Sequence, residues 1–128
     1  MNRQEAVTHL QKRARCELKA ARILFEKNEQ DVYGEVLFHC HLAIKLALKA
    51  AYILEKDTAA PFTHDLGELA GDLKIEWTPD EQESFDEITD FGAFSRYGDE
   101  HWFTSSATKQ NAEQCLEKAT QFLSMLWS

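Results

Sequence analysis

Apolar residues in this 128-residue chain recur at three- and four-residue steps and nowhere alternate for long, so its regular structure must be helical. Val7, Leu10, Ala14, Leu18, Ala21, Leu24 and Phe25 form one stripe of a long first helix. After "NEQD", Val32, Val36, Cys40, Ala43, Ile44, Ala47, Ala51 and Leu54 form a second stripe. Leu37, Leu48 and Tyr52 widen it, and a helix this apolar should be buried on more than one side.

Cap chemistry predicts three more helices. "PFTHDLGELAGDL" predicts a shorter helix with Thr63 as N-cap, His64 at its first position and Asp65 in its first turn; Leu66, Leu69, Ala70 and Leu73 are its stripe. "WTPDEQESF" is a stronger start signal, with Thr78 at N-cap, Pro79 behind it and Glu81 closing a capping box. Phe85, Ile88 and Phe91 should face inward from that helix. The last helix carries Ala112, Cys115, Leu116, Ala119, Phe122, Leu123 and Leu126, behind a cap cluster at 104–106. Short connections between long amphipathic helices imply antiparallel neighbours. The expectation is one all-α domain over residues 1–128, an up-and-down bundle of four or five helices.

Hydrophobic residues make up 44% of the chain, enough for one core of this size without covalent staples. No apolar run approaches the roughly 20 residues of a membrane span, and the start "MNRQEAVTHLQKRARCEL" lacks the apolar segment of a secretory signal. A soluble cytoplasmic protein with no membrane contact is therefore expected. Cys16, Cys40 and Cys115 lie within apolar helical pattern and read as buried, unpaired thiols.

The formal net charge of −8 is unevenly spread. Residues 1–28 hold seven bases and three acids, whereas residues 57–100 hold thirteen acids and two bases, one of them Arg96. An acidic chain is a poor general binder of nucleic acid, because such binding draws on neutralising phosphates. Any contact with RNA or a nucleotide must be local.

Two segments carry candidate chemistry. In "FHCHLAIKLALKAAY", His41, Lys45 and Lys49 fall four residues apart on one helical face. That face either meets solvent and an acidic neighbouring helix or holds an anionic ligand, which makes these three candidate substrate-binding residues. His39 and His41 are two apart and diverge on a helix, and no CxxC or HExxH spacing is present; no metal or cofactor is expected.

The second segment is "FSRYGDEHWF", where Arg96 precedes His101 by five residues. A guanidinium is a fixed fork of donors suited to phosphate, and an imidazole exchanges its proton near neutral pH. Together they are the minimum for metal-independent cleavage of RNA through its 2′-hydroxyl. The competing reading is a surface turn in which Arg96 pairs with Asp99 or Glu100 while Tyr97 and Trp102 pack inward.

"FHCHLAIKLALKAAY", "THDLGEL" and "SRYGDEHWF", in that order and followed by an amphipathic C-terminal helix, together resemble the small prokaryotic HEPN domains. The resemblance implies a five-helix bundle that forms a homodimer. It further implies a two-gene toxin–antitoxin-like or nucleotide-handling module with a nucleotidyltransferase partner protein. By that likeness Arg96 and His101 are the catalytic positions of an RNase toxin, or of a form that binds RNA or nucleotide without cutting. Tyr97, the residue after the arginine, joins the substrate-binding candidates; a non-enzymatic helical interaction module is the alternative. One departure stands out: Lys45 and Leu46 occupy the places where relatives carry a Glu-Lys pair.

Overall fold

A computed structural model describes residues 2–127 as six α-helices. They are α1 (Arg3–Glu26), α2 (Tyr33–Lys56), α3 (Leu66–Gly71), α4 (Pro79–Tyr97), α5 (Glu100–Ser106) and α6 (Lys109–Leu126). A single 3-10 turn, Gln30–Val32, leads into α2, and no strand occurs among the described residues.

Side-chain pairs give the directions of the long helices. Arg3, at the start of α1, reaches the Leu54 carbonyl and Asp57 at the end of α2. Glu35 near the start of α2 meets Arg96 near the end of α4. Arg22 of α1 donates to Thr120 of α6 at 2.9 Å, while Arg15 lies over the ring of Trp127. Helices α1, α2, α4 and α6 therefore run up, down, up and down. The expected bundle is present, with α3 at one end and α5 at the other as short connectors.

Helix α2 is the axis of the bundle. It packs on α1, α6, α4 and α3, and Val36, Leu37, Cys40, Ala43, Ile44, Ala47, Leu48 and Ala50 are buried along it. Its alanines let neighbouring backbones approach closely, which is how one helix can be enclosed by several. The stretch Gln30–Lys56 is long and apolar enough to cross a membrane by length and composition alone, contrary to the sequence reading. Burial inside the bundle accounts for that apolarity, since 56% of its most apolar window is enclosed.

Between α4 and α6 the core is aromatic. Phe85 and Phe122 stack with centroids 4.4 Å apart, and Trp77 meets both edge-on at 4.9 and 5.9 Å. The Trp77 indole N–H donates to the Ala70 carbonyl at 2.9 Å, tying the end of α3 to the start of α4.

The caps follow the chemistry expected at Thr78, whose hydroxyl accepts from the Glu81 N–H while Glu81 accepts from the Thr78 N–H. Two other expected caps are displaced. Asp65, not Thr63, caps α3 by accepting from the Glu68 N–H at 3.2 Å. Thr63 instead accepts from the Asp65 N–H and donates to the Glu68 carboxylate, so His64 precedes the helix. Residues 104–106 do not cap α6. Asp99 starts an additional helix, α5, by accepting from the Trp102 N–H, and that trio forms its last turn. Thr108 is the cap of α6. Among the cysteines, Cys40 and Cys115 are buried and unpaired as expected, but Cys16 is exposed, because it lies off the α1 stripe of Ala14, Leu18 and Ala21. Burial raises the Cys40 thiol well above its ordinary range and pushes Cys115 up to about 12.

Phe85→Ala removes the ring shared by Trp77 and Phe122 and should cost about 3–5 kcal/mol of stability. Urea unfolding followed by tryptophan fluorescence reads this directly.

Candidate functional site

The end of α4 meets the start of α2 at Arg96. Its Nη1 donates to Glu35 Oε1 at 3.0 Å and its Nη2 to Glu35 Oε2 at 3.1 Å. The guanidinium also lies over the Phe38 ring, 3.5 Å from its centroid. Both ionised groups are partly exposed, so the pair is worth about 0–1 kcal/mol. What the fork and the ring provide is orientation, because two parallel hydrogen bonds and a stacked face leave the side chain little freedom.

A ladder of charges continues from there to α1. His39 Nε2 lies 3.8 Å from Glu35, and His39 Nδ1 lies 2.6 Å from Glu17 Oε2. Arg13 stands 3.7 Å from the other oxygen of Glu17.

Deeper between α2 and α4, His41 is buried against Gly92. A Cβ added to Gly92 would sit 2.4 Å from His41 Cγ and 2.5 Å from its Nδ1, so the close approach of the two helices requires glycine there. Burial, and after it the ammonium of Lys45, lowers the His41 pKa to about 4; the Ile88 backbone pulls weakly the other way. The ring is therefore neutral at physiological pH. Its Nδ1 has no hydrogen-bond partner among the described residues.

These side chains border a cleft of about 400 Å³ between α2, α4 and the segment before α3. Phe38, Leu42, Gly92 and Ala93 give it an apolar floor. Lys45 and Arg96 supply cations, His41 and His64 supply imidazoles, and Tyr97 stands at the rim with 89% of its surface exposed. No carboxylate is among the described lining residues. Lys45 itself has a lowered pKa, first from burial and then from Lys49 and Arg13.

Four of the six expected site residues therefore converge: Arg96, Tyr97, His41 and Lys45. Lys49 lies beyond the cleft, its ammonium 5.9 Å from the centroid of the Phe62 ring. His101 sits exposed in the first turn of α5 and is not among the lining residues. The turn reading fails in its particulars. Arg96 pairs with Glu35 rather than Asp99, which is occupied as a cap, and Tyr97 faces solvent because α4 continues through it. Trp102 alone packs partly inward, stacked on Phe94 at 5.8 Å. No group of three or more metal-ligating side chains is assembled among the described residues.

The sequence reading missed Glu35, Phe38 and Gly92 and gave His64 a purely structural place. The stripe Glu35, Phe38, Leu42, Lys45 and Lys49, at three- and four-residue steps, is the signal that could have found the first two.

A model of the HEPN domain family matches residues 7–127, nearly the whole chain. The chain belongs to the HEPN family. The crystal structure of TT1696 from Thermus thermophilus is similar in fold, with a TM-score of 0.81 over 98% of this chain and 97% of that one. At 22% identity, that likeness concerns the fold alone. No protein of curated function matches the sequence. In this HEPN domain, as the family's all-α architecture requires, the cleft is built wholly from helices and one loop.

Two outcomes follow. Gly92→Ala forces His41 from its seat and should destabilise the domain by about 1–3 kcal/mol, measured by urea unfolding. His41 has a folded pKa below its unfolded value near 6.5, so the unfolded chain binds more protons between pH 6.5 and 4. Its contribution, up to about 3 kcal/mol, is present above pH 6.5 and lost as the pH falls towards 4. His41→Gln should flatten that part of the stability-against-pH curve.

Proposed function

We propose that this HEPN domain holds a phosphate of RNA or of a nucleotide in the Arg96 cleft, and that it works as a homodimer. The observation that carries this reading is electrostatic. In a chain of net charge −8, the cleft is lined by Lys45 and by an Arg96 paired with Glu35, beside the neutral imidazole of His41 and that of His64, with no carboxylate among the described lining residues. A concave cationic site with low-dielectric walls concentrates anions even when the whole protein repels them.

Aromatic surface adds a reason to favour a nucleotide over a simple anion. Phe62 is 94% exposed and packs edge-on against the lining residue His64 at 5.9 Å, and Tyr97, itself a lining residue, is nearly as open. Exposed rings beside cations are what unpaired bases stack upon.

The reaction this supports is metal-independent endoribonuclease cleavage, with Arg96 stabilising charge on phosphorus and His101 exchanging a proton. His101 lies one helix start beyond Arg96, where a second chain meeting α4 and α5 would bring both sets of groups to a common groove. In the cell the domain would serve as the toxin, or as an RNA- or nucleotide-binding half, of a module with a nucleotidyltransferase. A second reading, a non-enzymatic interaction module, draws on the same exposed Phe62, Tyr97 and Phe94 as a protein-docking surface.

Fluorescence polarisation with a short single-stranded RNA separates the two. Lys45→Ala and Arg96→Ala should each weaken binding about tenfold, near 1.4 kcal/mol. Lys45→Ala should also reduce the salt dependence by about 0.7 in log–log slope, and Arg96→Ala, whose charge is matched by Glu35, by less. RNA binding unaffected by either substitution, with no cleavage in the presence of chelator, favours the interaction module. Sedimentation of the same material as a monomer at micromolar concentration overturns the dimer.

A further inference from the structure

The Arg96 cleft already contains a solvent-accessible histidine from its own chain, and it is not the one in the arginine–histidine spacing. His64 lines the cleft with Arg96, Lys45 and Tyr97, whereas His101 does not. The loop around His64 is held at several points. Thr63 accepts from the Asp65 N–H at 3.1 Å, Asp65 caps α3, and the Leu66 N–H donates to Thr89 Oγ1 of α4 at 2.9 Å. Thr89 is itself a lining residue, so this last bond ties the loop to the cleft wall. Phe62 packs edge-on to the imidazole.

His64 also has the right company and the right freedom. It is exposed, unlike His41, whose ring is enclosed between α2 and Gly92 and held neutral. Among the described residues it is not committed to a carboxylate, unlike His39, which is held by Glu17. Of the histidines bordering the cleft, it is the one that can reach a ligand without the helices parting.

We propose that His64 is a second acid–base histidine of the Arg96 cleft, in contact with the bound phosphate. This rests on the reading of that cleft as a phosphate site. In cleavage, the His64 imidazole takes the proton of the 2′-hydroxyl as the O2′–P bond forms. The P–O5′ bond breaks, and the 5′ oxygen leaves with a proton from the His101 imidazolium that a second chain would bring to the groove. Phosphorus keeps its oxidation state, a 2′,3′-cyclic phosphate results, and solvent restores both histidines. A single histidine would have to serve both transfers in turn; two divide them.

The test pairs cleavage with a measurement that needs no turnover. Imidazole resonances of the wild-type protein are titrated with pH, alone and with saturating uridine 3′-monophosphate. The His64 midpoint should rise by about half a unit or more on contact with the dianion, while that of His9, exposed on α1, stays in place. In a chelator-containing RNA assay His64→Gln should lose about 100-fold in rate and the acidic limb of the pH profile. Added imidazole should partly restore His64→Ala. A nucleotide that binds, seen as a shift of the Lys45 resonances, without moving His64 overturns this inference and leaves the phosphate site standing. So does a His64→Gln rate within about threefold of wild type. Binding that moves His64 in a protein that cuts no RNA supports the contact and removes the nuclease. No binding at all overturns both readings together.

Discussion

The meeting of α2 and α4 at His41 and Gly92 sets the geometry on which the rest depends. The His41 ring sits where α4 has no side chain, and at this approach any Cβ at position 92 would strike it. From this contact the helices bring Glu35, Phe38 and Arg96 together at one end and Thr89 and His64 nearer the other. The cleft is the space left between them. A bulkier residue at 92 would fill part of it and move everything above.

Burial then sorts the cations. His41 is deep enough to be kept neutral, Lys45 is partly desolvated, and Arg96 is exposed but matched by Glu35. A guanidinium stays charged in any of these settings, a partly buried ammonium loses some of its proton affinity, and a deeply buried imidazole loses enough to stay neutral. Three residues on adjoining surfaces thus have three electrostatic characters, set by depth rather than by residue type alone.

The long helices were legible because their stripes are long; each apolar step repeats the same evidence, and tertiary contacts agree with it. The short ones were not. Helix α3 has six residues and α5 seven, too few for periodicity to outweigh competing caps. Thr63, Asp65, Asp99, residues 104–106 and Thr108 all favour cap positions, and tertiary fit decided among them. The site was half legible for a similar reason. Lys45 and Arg96 stand out as cations among apolar or acidic neighbours. Glu35 is one acid among 22 acidic residues, and its pairing spans 61 positions that only the fold closes. Gly92 gave no local sign, because a glycine inside a helix costs stability wherever it occurs and shows its use only against a partner.

The Glu35–Arg96 fork explains how one cleft can orient a phosphate without depending on Arg96 for attraction. Of the five N–H groups on a guanidinium, two are taken by Glu35 and one ring face is covered by Phe38. The remaining donors make no hydrogen bond among the described residues, so an anion can share the group rather than displace its partner. Since Glu35 cancels most of the charge at a distance, attraction falls to Lys45, which lacks an acidic neighbour in the cleft. Direction falls to Arg96, whose planar fork is already oriented by Glu35 and Phe38 before a ligand arrives. Preorganisation of this kind lowers the entropy lost on binding, and it fixes the phosphate relative to the imidazoles around it. An arginine left free in the same place would attract more strongly and position less well.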